Sequence, residues 1–153
     1  QDPIRLEGGV TNIYAYVNDT NVWNDIFALA GSGGAYMFGF ESGEMYIGKG
    51  EINRMKKSII TRSKQVQNPK LIGAAHVSTH GNNELGKMVE YKTMRDAGFE
   101  HGSIPPNYLN TYLSGETAWN ANPSLRTEAT QLANKLKADF NADVERRRNI
   151  YKK

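Results

Sequence analysis

The chain has 153 residues, no cysteine, and a formal charge of +3 from 19 Lys and Arg against 16 Asp and Glu. This length suits a single domain with a hydrophobic core. The lack of cysteine excludes disulfide bonds, thiolate zinc sites and thiol catalysis. No apolar stretch is long enough to predict a membrane-spanning helix. The composition therefore predicts one globular domain, and the charge total alone does not indicate a partner.

The positive charge is distributed unevenly along the chain. Residues 1–29 contain one basic and four acidic residues, so they carry −3 and the rest of the chain carries +6. Two segments, 49–70 and 134–153, contain seven basic residues each. A concentrated basic field favours a polyanionic partner such as nucleic acid, although most charged runs are only solvated faces.

The first half of the chain predicts an arm followed by strands and a helix. Residues 1–33 are rich in Asn, Gly and Tyr, which predicts an irregular N-terminal arm ending in a Gly/Ser linker. Residues 34–40 and 45–48 are apolar runs on either side of a turn, and they predict a β-hairpin. A helix is expected from 51 to 63 and a third strand from 71 to 77.

The second half predicts two helices separated by a loop. We expect a helix over 84–97 with Gly98 as its C-terminal stop, and mostly loop over 99–121. Asn122 is expected to cap the last helix, with Pro123 in its first turn. One face of that helix has the apolar spacing of a packed surface: Leu125, Ala129, Leu132, Leu136, Phe140 and Val144. The chain thus predicts an α+β fold with a small, mostly antiparallel sheet flanked by helices.

The hairpin and the elements after it carry the residues that suggest chemistry. Tyr36 and Tyr46 fall on adjacent antiparallel strands, where cross-strand neighbours approach within about 5 Å. Arg54 on the next helix can hold phosphate oxygens through its planar guanidinium group. Glu90 has apolar helical neighbours that favour an inward-facing carboxylate, and a carboxylate can hold one Mg²⁺ together with water and phosphate.

These residues resemble a nuclease signature. Gly-Ala-Tyr at 34–36 and Tyr-Ile-Gly at 46–48, followed by a basic residue, a glycine and Arg54, are similar to the GIY-YIG nuclease motif. The resemblance covers about residues 34–97 and implies a metal-dependent DNA endonuclease that uses Mg²⁺ or Mn²⁺. The catalytic residues it implies are Tyr36, Tyr46, Lys49, Arg54 and Glu90, with Glu90 as the metal ligand. The substrate-binding residues it implies are Gly34, Gly48, Arg54, Lys56 and Lys57.

The chain departs from that family pattern at two positions. Ala35 stands where the first triplet usually has a branched apolar residue, and Ser58 stands where many members carry histidine. Lys49, or alternatively His76 or His80 from the following segment, could take the role of that histidine. A structural zinc site on the two histidines is disfavoured, because the residues between them indicate strand or loop rather than one helix face.

The N-terminal arm carries a second resemblance, to the end of an Rhs-repeat core. Such cores form a β-cocoon around a variable C-terminal toxin. The similar stretches are 2–9, 12–17 and 23–30. The resemblance implies a possible self-cleavage site formed by Asp2, Asp25 and Leu29. It divides the chain into the end of the Rhs core with its linker, 1–33, and a toxin domain, 34–153.

Together the two resemblances imply an interbacterial toxin. They imply a secreted effector, of the kind delivered by type VI secretion, that acts in the cytoplasm of the target bacterium. Its expected partners are DNA, the rest of the Rhs cocoon, and a cognate immunity protein that could bind the basic surface around Arg54, Lys56 and Lys57. Two alternatives stay open: a toxin of another chemistry, such as ADP-ribosyl transfer, and a non-catalytic nucleic-acid-binding module that uses the basic tail at 146–153.

Overall fold

The structure is a computed structural model that describes residues 33–151. The predicted α+β fold is confirmed, with one antiparallel sheet in the strand order β2-β1-β3. The strands are β1 (Ala35–Phe40), β2 (Met45–Lys49) and β3 (Leu71–Val77). The helices are α1 (Ile52–Ser63), α2 (Asn83–Asp96), α3 (Glu116–Ala121) and α4 (Arg126–Tyr151). The proposed self-cleavage residues Asp2, Asp25 and Leu29 lie outside the described residues.

Strand β1 is the centre of the fold and is buried along its whole length. Its side chains alternate between two apolar clusters, because successive residues of a strand point to opposite faces. Tyr36, Phe38 and Phe40 pack against α1, which contributes Ile52, Met55 and Ile59. Burying a side chain as large as Phe38 stabilises the fold by about 1.5–3 kcal/mol. The sheet is therefore covered by α1 on this face.

The opposite face of the sheet packs against α2 and α4. Met37 and Ile47, which are cross-strand partners, join Met88 and Val89 of α2 in one apolar cluster. The apolar face predicted for the last helix is confirmed: Ala129, Leu136 and Phe140 are buried, and Leu125, Leu132 and Val144 pack against the same cluster. No helix within residues 33–151 is long and apolar enough to span a bilayer.

The segment between α2 and α4 differs from the sequence-based prediction. Residues 116–121, predicted as part of a loop, form helix α3, and the last helix begins at Arg126 after a 3₁₀ turn over Pro123–Leu125. Asn122 makes no capping hydrogen bond to that turn. Its side chain instead donates to the carbonyl of Ala118 at 2.8 Å, so it closes α3. Asn122 is therefore the boundary residue between α3 and the 3₁₀ turn that begins at Pro123, and its side chain caps the preceding helix rather than the following one.

The chain between α2 and α3 also covers the outer edge of β2. The amide of Met45 donates to Asn107 and the amide of Leu109 donates to Met45, both at 2.8 Å. Asn110 extends this pairing, because its side chain accepts from the Ile47 amide at 3.0 Å and donates to the Ile47 carbonyl at 2.7 Å. The pairing satisfies backbone groups that an uncovered edge would expose. It also anchors the segment that leads to Ser114.

The C-terminal part of α4 is tied to the sheet by an internal ion-pair network. Asp143 accepts from the backbone amide of Ala74 in β3 at 2.8 Å and from Arg147 Nε at 2.7 Å, and it also pairs with Arg146. Arg147 is only 3% exposed. At least part of the basic charge in this segment is therefore used inside the fold.

Candidate active site

A cleft of about 290 Å³ opens where the hairpin ends and the first turns of α1 and α2 meet. Its lining residues are Gly34, Lys49, Gly50, Arg54, Asn83, Gly86 and Lys87. Three of them are cationic. The N-terminal turns of both helices add positive partial charge, because their first amides have no intrahelical partners. The cleft is thus arranged to attract an anion.

Strand alternation and helical spacing bring Lys49 and Glu90 to the same region. Lys49 pairs with Ala35, whose side chain lies in the cluster with α2, so Lys49 projects from the α2 side of the sheet. Glu90 lies one helical turn beyond Gly86 on α2 and is 7% exposed. The side-chain hydroxyl of Ser114 donates to Glu90 Oε1 at 2.9 Å.

Burial raises the pKa of Glu90 above its usual value. The hydrogen bond from Ser114 and the charges of Lys49 and Arg54 lower this pKa and so act against burial. Since both cations act on Glu90, the structure brings together three predicted catalytic residues that the sequence places on three separate elements. The expectation that Glu90 faces inward is confirmed.

Tyr36 lies beneath the first turns of α1. Its ring packs directly on Gly48, where an added Cβ would lie 2.5 Å from Cζ of the tyrosine. Burial raises the pKa of its hydroxyl above the usual value, and the nearby Ser58 hydroxyl and Arg54 guanidinium act in the opposite direction. Tyr36 is therefore a neutral phenol near neutral pH. Ser58, at the position where the nuclease family often has histidine, contacts the predicted catalytic tyrosine.

Tyr46 shares the α1 face of the sheet with Tyr36, as predicted, with ring centroids 6.5 Å apart. Its hydroxyl has a different partner, because it accepts from Arg62 Nη2 at 3.1 Å. The Arg62 guanidinium also lies 4.4 Å from the Tyr46 ring centroid. Arg62 lies about two turns beyond Arg54 on α1. The two rings are therefore in contact, but the Tyr46 hydroxyl is hydrogen-bonded to the end of α1 that is distant from the cleft.

A glycine turn and a buried histidine shape the floor of the cleft. Gly34 and Gly50 both have a φ of +130°, and a Cβ on Gly34 would collide with the carbonyl oxygen of Val77. His76 Nε2 donates to the Gly50 carbonyl at 2.8 Å. Burial lowers the pKa of His76, so the ring is held neutral. His76 therefore supports the backbone beside Lys49 and is not aimed into the cleft as a free base.

The remaining predicted site residues do not line the cleft. His80 is exposed in the turn before α2, with a φ of 52°. Lys57 is exposed one turn after Arg54 on α1. Lys56 lies two residues after Arg54 and so projects from another side of the helix.

The structure adds site residues that the sequence interpretation did not assign. Asn83, Gly86 and Lys87 line the cleft from α2. Their spacing before Glu90 follows one helix face, so this pattern was a signal present in the sequence. Ser114 had no such signal, because it meets Glu90 across 24 residues of intervening chain.

The donor set at Glu90 fits a cation that needs one protein carboxylate. Among residues 33–151, no three His, Cys, Asp or Glu side chains come together as a metal-binding group. Within the same range, Glu90 Oε1 accepts from Ser114 and Oε2 has no hydrogen-bond partner. Mg²⁺ is commonly held by one or two carboxylates, with water and substrate phosphate at its other positions. Glu90 is compatible with that arrangement.

Comparison of the chain with protein-family models, with curated proteins and with solved structures gave no match.

Proposed function

We propose that residues 34–153 form a metal-dependent DNA endonuclease that acts as an interbacterial toxin of the Rhs type. The observation that carries the proposal is a cleft lined by Lys49 and Arg54, both of which act electrostatically on the buried carboxylate of Glu90. A cationic cleft with one buried carboxylate suits a phosphodiester and the divalent ion that accompanies it. The toxin context rests on the resemblance of the N-terminal arm to an Rhs core.

In the proposed reaction, Arg54 and Lys49 bind the non-bridging oxygens of the scissile phosphate. Both cations remain in place as negative charge grows in the transition state, and such preorganised donors lower the barrier without reorganising. A divalent cation at Glu90 would supply further Lewis-acid stabilisation of that charge. Glu90 must be ionised to hold the cation, which the neighbouring charges of Lys49 and Arg54 favour.

Tyr36 orients the attacking water through its neutral hydroxyl, which Ser58 and Arg54 hold in place. The water oxygen bonds to phosphorus as the bond to the 3′ oxygen breaks. One water proton passes to solvent, and the 3′ oxygen takes up one proton. The products are a 5′-phosphate and a 3′-hydroxyl. Tyr46 contributes by packing against Tyr36 and by fixing Arg62.

The test is incubation of supercoiled plasmid with the protein in Mg²⁺, Mn²⁺ and EDTA. Wild type is expected to cut the plasmid with either metal and to leave it intact in EDTA. Glu90→Gln keeps the side-chain shape but loses the charge, and we expect its rate to fall by about 10³-fold or more. Glu145→Gln is the matched control, since Glu145 lies on α4 in an exposed pair with Arg148.

Two outcomes of this experiment would overturn the proposal, and two further assays would favour the alternatives. Folded wild type that leaves plasmid intact with metal would overturn it, and so would cutting by Glu90→Gln at the wild-type rate. Transfer of label from NAD⁺ to protein, with no loss of DNA, would favour ADP-ribosyl transfer instead. Salt-sensitive binding of strands that stay whole would favour a non-catalytic module.

A further inference from the structure

Helix α2 presents a polar strip to the cleft ahead of Glu90. Asn83 and Lys87 are one turn apart, and both line the cleft with Gly86 between them. Glu90 continues the same helix face one turn later. With a rise of 1.5 Å per residue, the strip extends about 10 Å from Asn83 to Glu90. The cleft is therefore longer than the group formed by Lys49, Arg54 and Glu90.

The backbone of α2 is held in place against the rest of the cleft at this strip. A Cβ on Gly86 would lie 3.1 Å from the carbonyl oxygen of Gly34, so the helix and the hairpin are in close contact. A Cβ on Gly115, whose φ is +95°, would collide with the carbonyl oxygen of Lys87. The two close approaches fix the base of the Lys87 side chain relative to Arg54 on the opposite wall.

The charge of the cleft exceeds what one phosphodiester requires. Lys49, Arg54 and Lys87 contribute three positive charges, whereas a phosphodiester carries a single negative charge. Lys49 and Arg54 also act on the Glu90 carboxylate, so they belong to the catalytic end of the cleft. Lys87 is the third cation of the cleft, and it is placed to bind a second anionic group.

Resting on the proposed function, we infer that Lys87 and Asn83 form a subsite for the phosphate next to the scissile one. The protein then grips two successive phosphates of one strand, and its substrate class is an internal phosphodiester of a polynucleotide. A phosphate ester without a neighbouring phosphate is a poor substrate. Lys87 and Asn83 are positioning residues, because they hold the strand and do not contact the bond that breaks.

The present partner of Lys87 is compatible with this role. Lys87 Nζ pairs with Glu84 Oε2 at 3.1 Å, and both side chains are more than two-fifths exposed. An exposed pair of this kind exchanges partners at small cost. Asn122 also donates to Glu84 Oε1 at 3.3 Å, so Glu84 keeps a partner when Lys87 turns to a phosphate.

The test compares a single-stranded oligonucleotide with bis(p-nitrophenyl) phosphate, which has only one phosphate. For Lys87→Ala we expect the loss of kcat/KM on the oligonucleotide to exceed that on the small ester by about tenfold, mostly through KM. Asn83→Asp, which adds a negative charge, should show the same selective loss. Lys92→Ala is the matched control, because Lys92 lies on α2 in a pair with Asp96 outside the cleft.

Binding gives a second readout that requires no cleavage. With EDTA present and a fluorescent single strand as probe, Lys87→Ala should reduce the slope of log affinity against log salt by about 0.7, the value of one lost phosphate contact. An unchanged slope, or equal kinetic losses on both substrates, would overturn the subsite. If wild type leaves supercoiled plasmid intact with metal, the proposed nuclease function fails, and the slope still reports whether Lys87 contacts a phosphate.

Discussion

The two basic segments of this chain look alike in sequence and are used differently in the fold. Residues 49–70 and 134–153 contain seven basic residues each. In the first segment, Lys49 and Arg54 line an open cleft. In the second, Arg146 and Arg147 pair with Asp143, which also accepts from the backbone of β3. Lys49 and Arg54 therefore face an open cleft, whereas Arg146 and Arg147 belong to an ion-pair network that ties α4 to the sheet.

The difference between these segments follows from where acidic residues stand. On α4, acidic side chains lie three or four residues from the basic ones, which is the spacing at which helical side chains meet: the pairs are Lys135–Asp139, Asp143–Arg146, Asp143–Arg147 and Glu145–Arg148. The segment 49–70 contains one acid, Glu51. Within this segment, Lys49 and Arg54 line the cleft rather than pairing with an acidic neighbour at helical spacing.

The largest effect expected from a change in the two basic segments is on catalysis, from Arg54→Ala. Arg54 is an exposed helix residue, so we expect the free energy of unfolding to change by less than about 0.5 kcal/mol. Removing a preorganised cation from the phosphate should reduce kcat by about 10²–10³-fold. Plasmid cleavage rates and urea denaturation measure the two effects. Loss of activity only in proportion to unfolded protein would contradict the assignment of Arg54 to the cleft.

The next effect is on stability, from Asp143→Asn. This change removes the negative charge that pairs with the buried Arg147, and we expect the free energy of unfolding to fall by about 3–5 kcal/mol. Cleavage by the folded fraction at low temperature should persist. Asp139→Asn is the control on the same helix, since its pair with Lys135 is exposed and worth less than about 1 kcal/mol. Equal destabilisation by both variants would contradict the assignment of Asp143 to a buried ion pair that stabilises the fold.

A smaller effect is expected on the pH profile, from Ser114→Ala. The hydrogen bond from Ser114 lowers the pKa of Glu90, so its loss leaves burial less opposed and raises that pKa further. The ionised carboxylate of Glu90 then forms only at higher pH, and the acidic limb of kcat/KM should shift to higher pH. Ser103→Ala, in the same connecting segment, should leave the limb in place. A shift toward lower pH after Ser114→Ala would exclude Glu90 as the group that titrates.

The smallest effect is expected from Arg148→Ala. Arg148 is exposed and pairs with Glu145 at 3.0 Å, a surface contact worth less than about 1 kcal/mol. Stability and cleavage should both stay close to wild type, and DNA affinity at fixed salt should change far less than in Arg54→Ala. A larger loss of DNA affinity for Arg148→Ala than for Arg54→Ala would indicate that the C-terminal tail, and not the cleft, contacts the nucleic acid.

Part of the candidate site could be predicted because its geometry is local. Tyr36 and Tyr46 share a face because strand residues alternate, and Glu90 faces inward because its helical neighbours are apolar. The partner of the Tyr46 hydroxyl could not be predicted, since Arg62 was one of several basic residues on α1. Helix α3 was missed because a six-residue helix has a weak periodic signal, and its preceding glycine indicates a turn equally well.

The amino-acid sequence by itself determined the order of strands and helices from β1 to α2 and the faces that become buried. Those features depend on the spacing of apolar residues, with a period of two in strands and 3.6 in helices, and this spacing can be recognised within short stretches of sequence. Only the tertiary structure decided that Ser114 holds Glu90, that Lys87 lines the cleft, and that Arg147 is internal. The contact between Ser114 and Glu90 and the burial of Arg147 depend on how distant elements pack. A buried charge needs a partner inside the fold, whereas an exposed charge can bind a ligand.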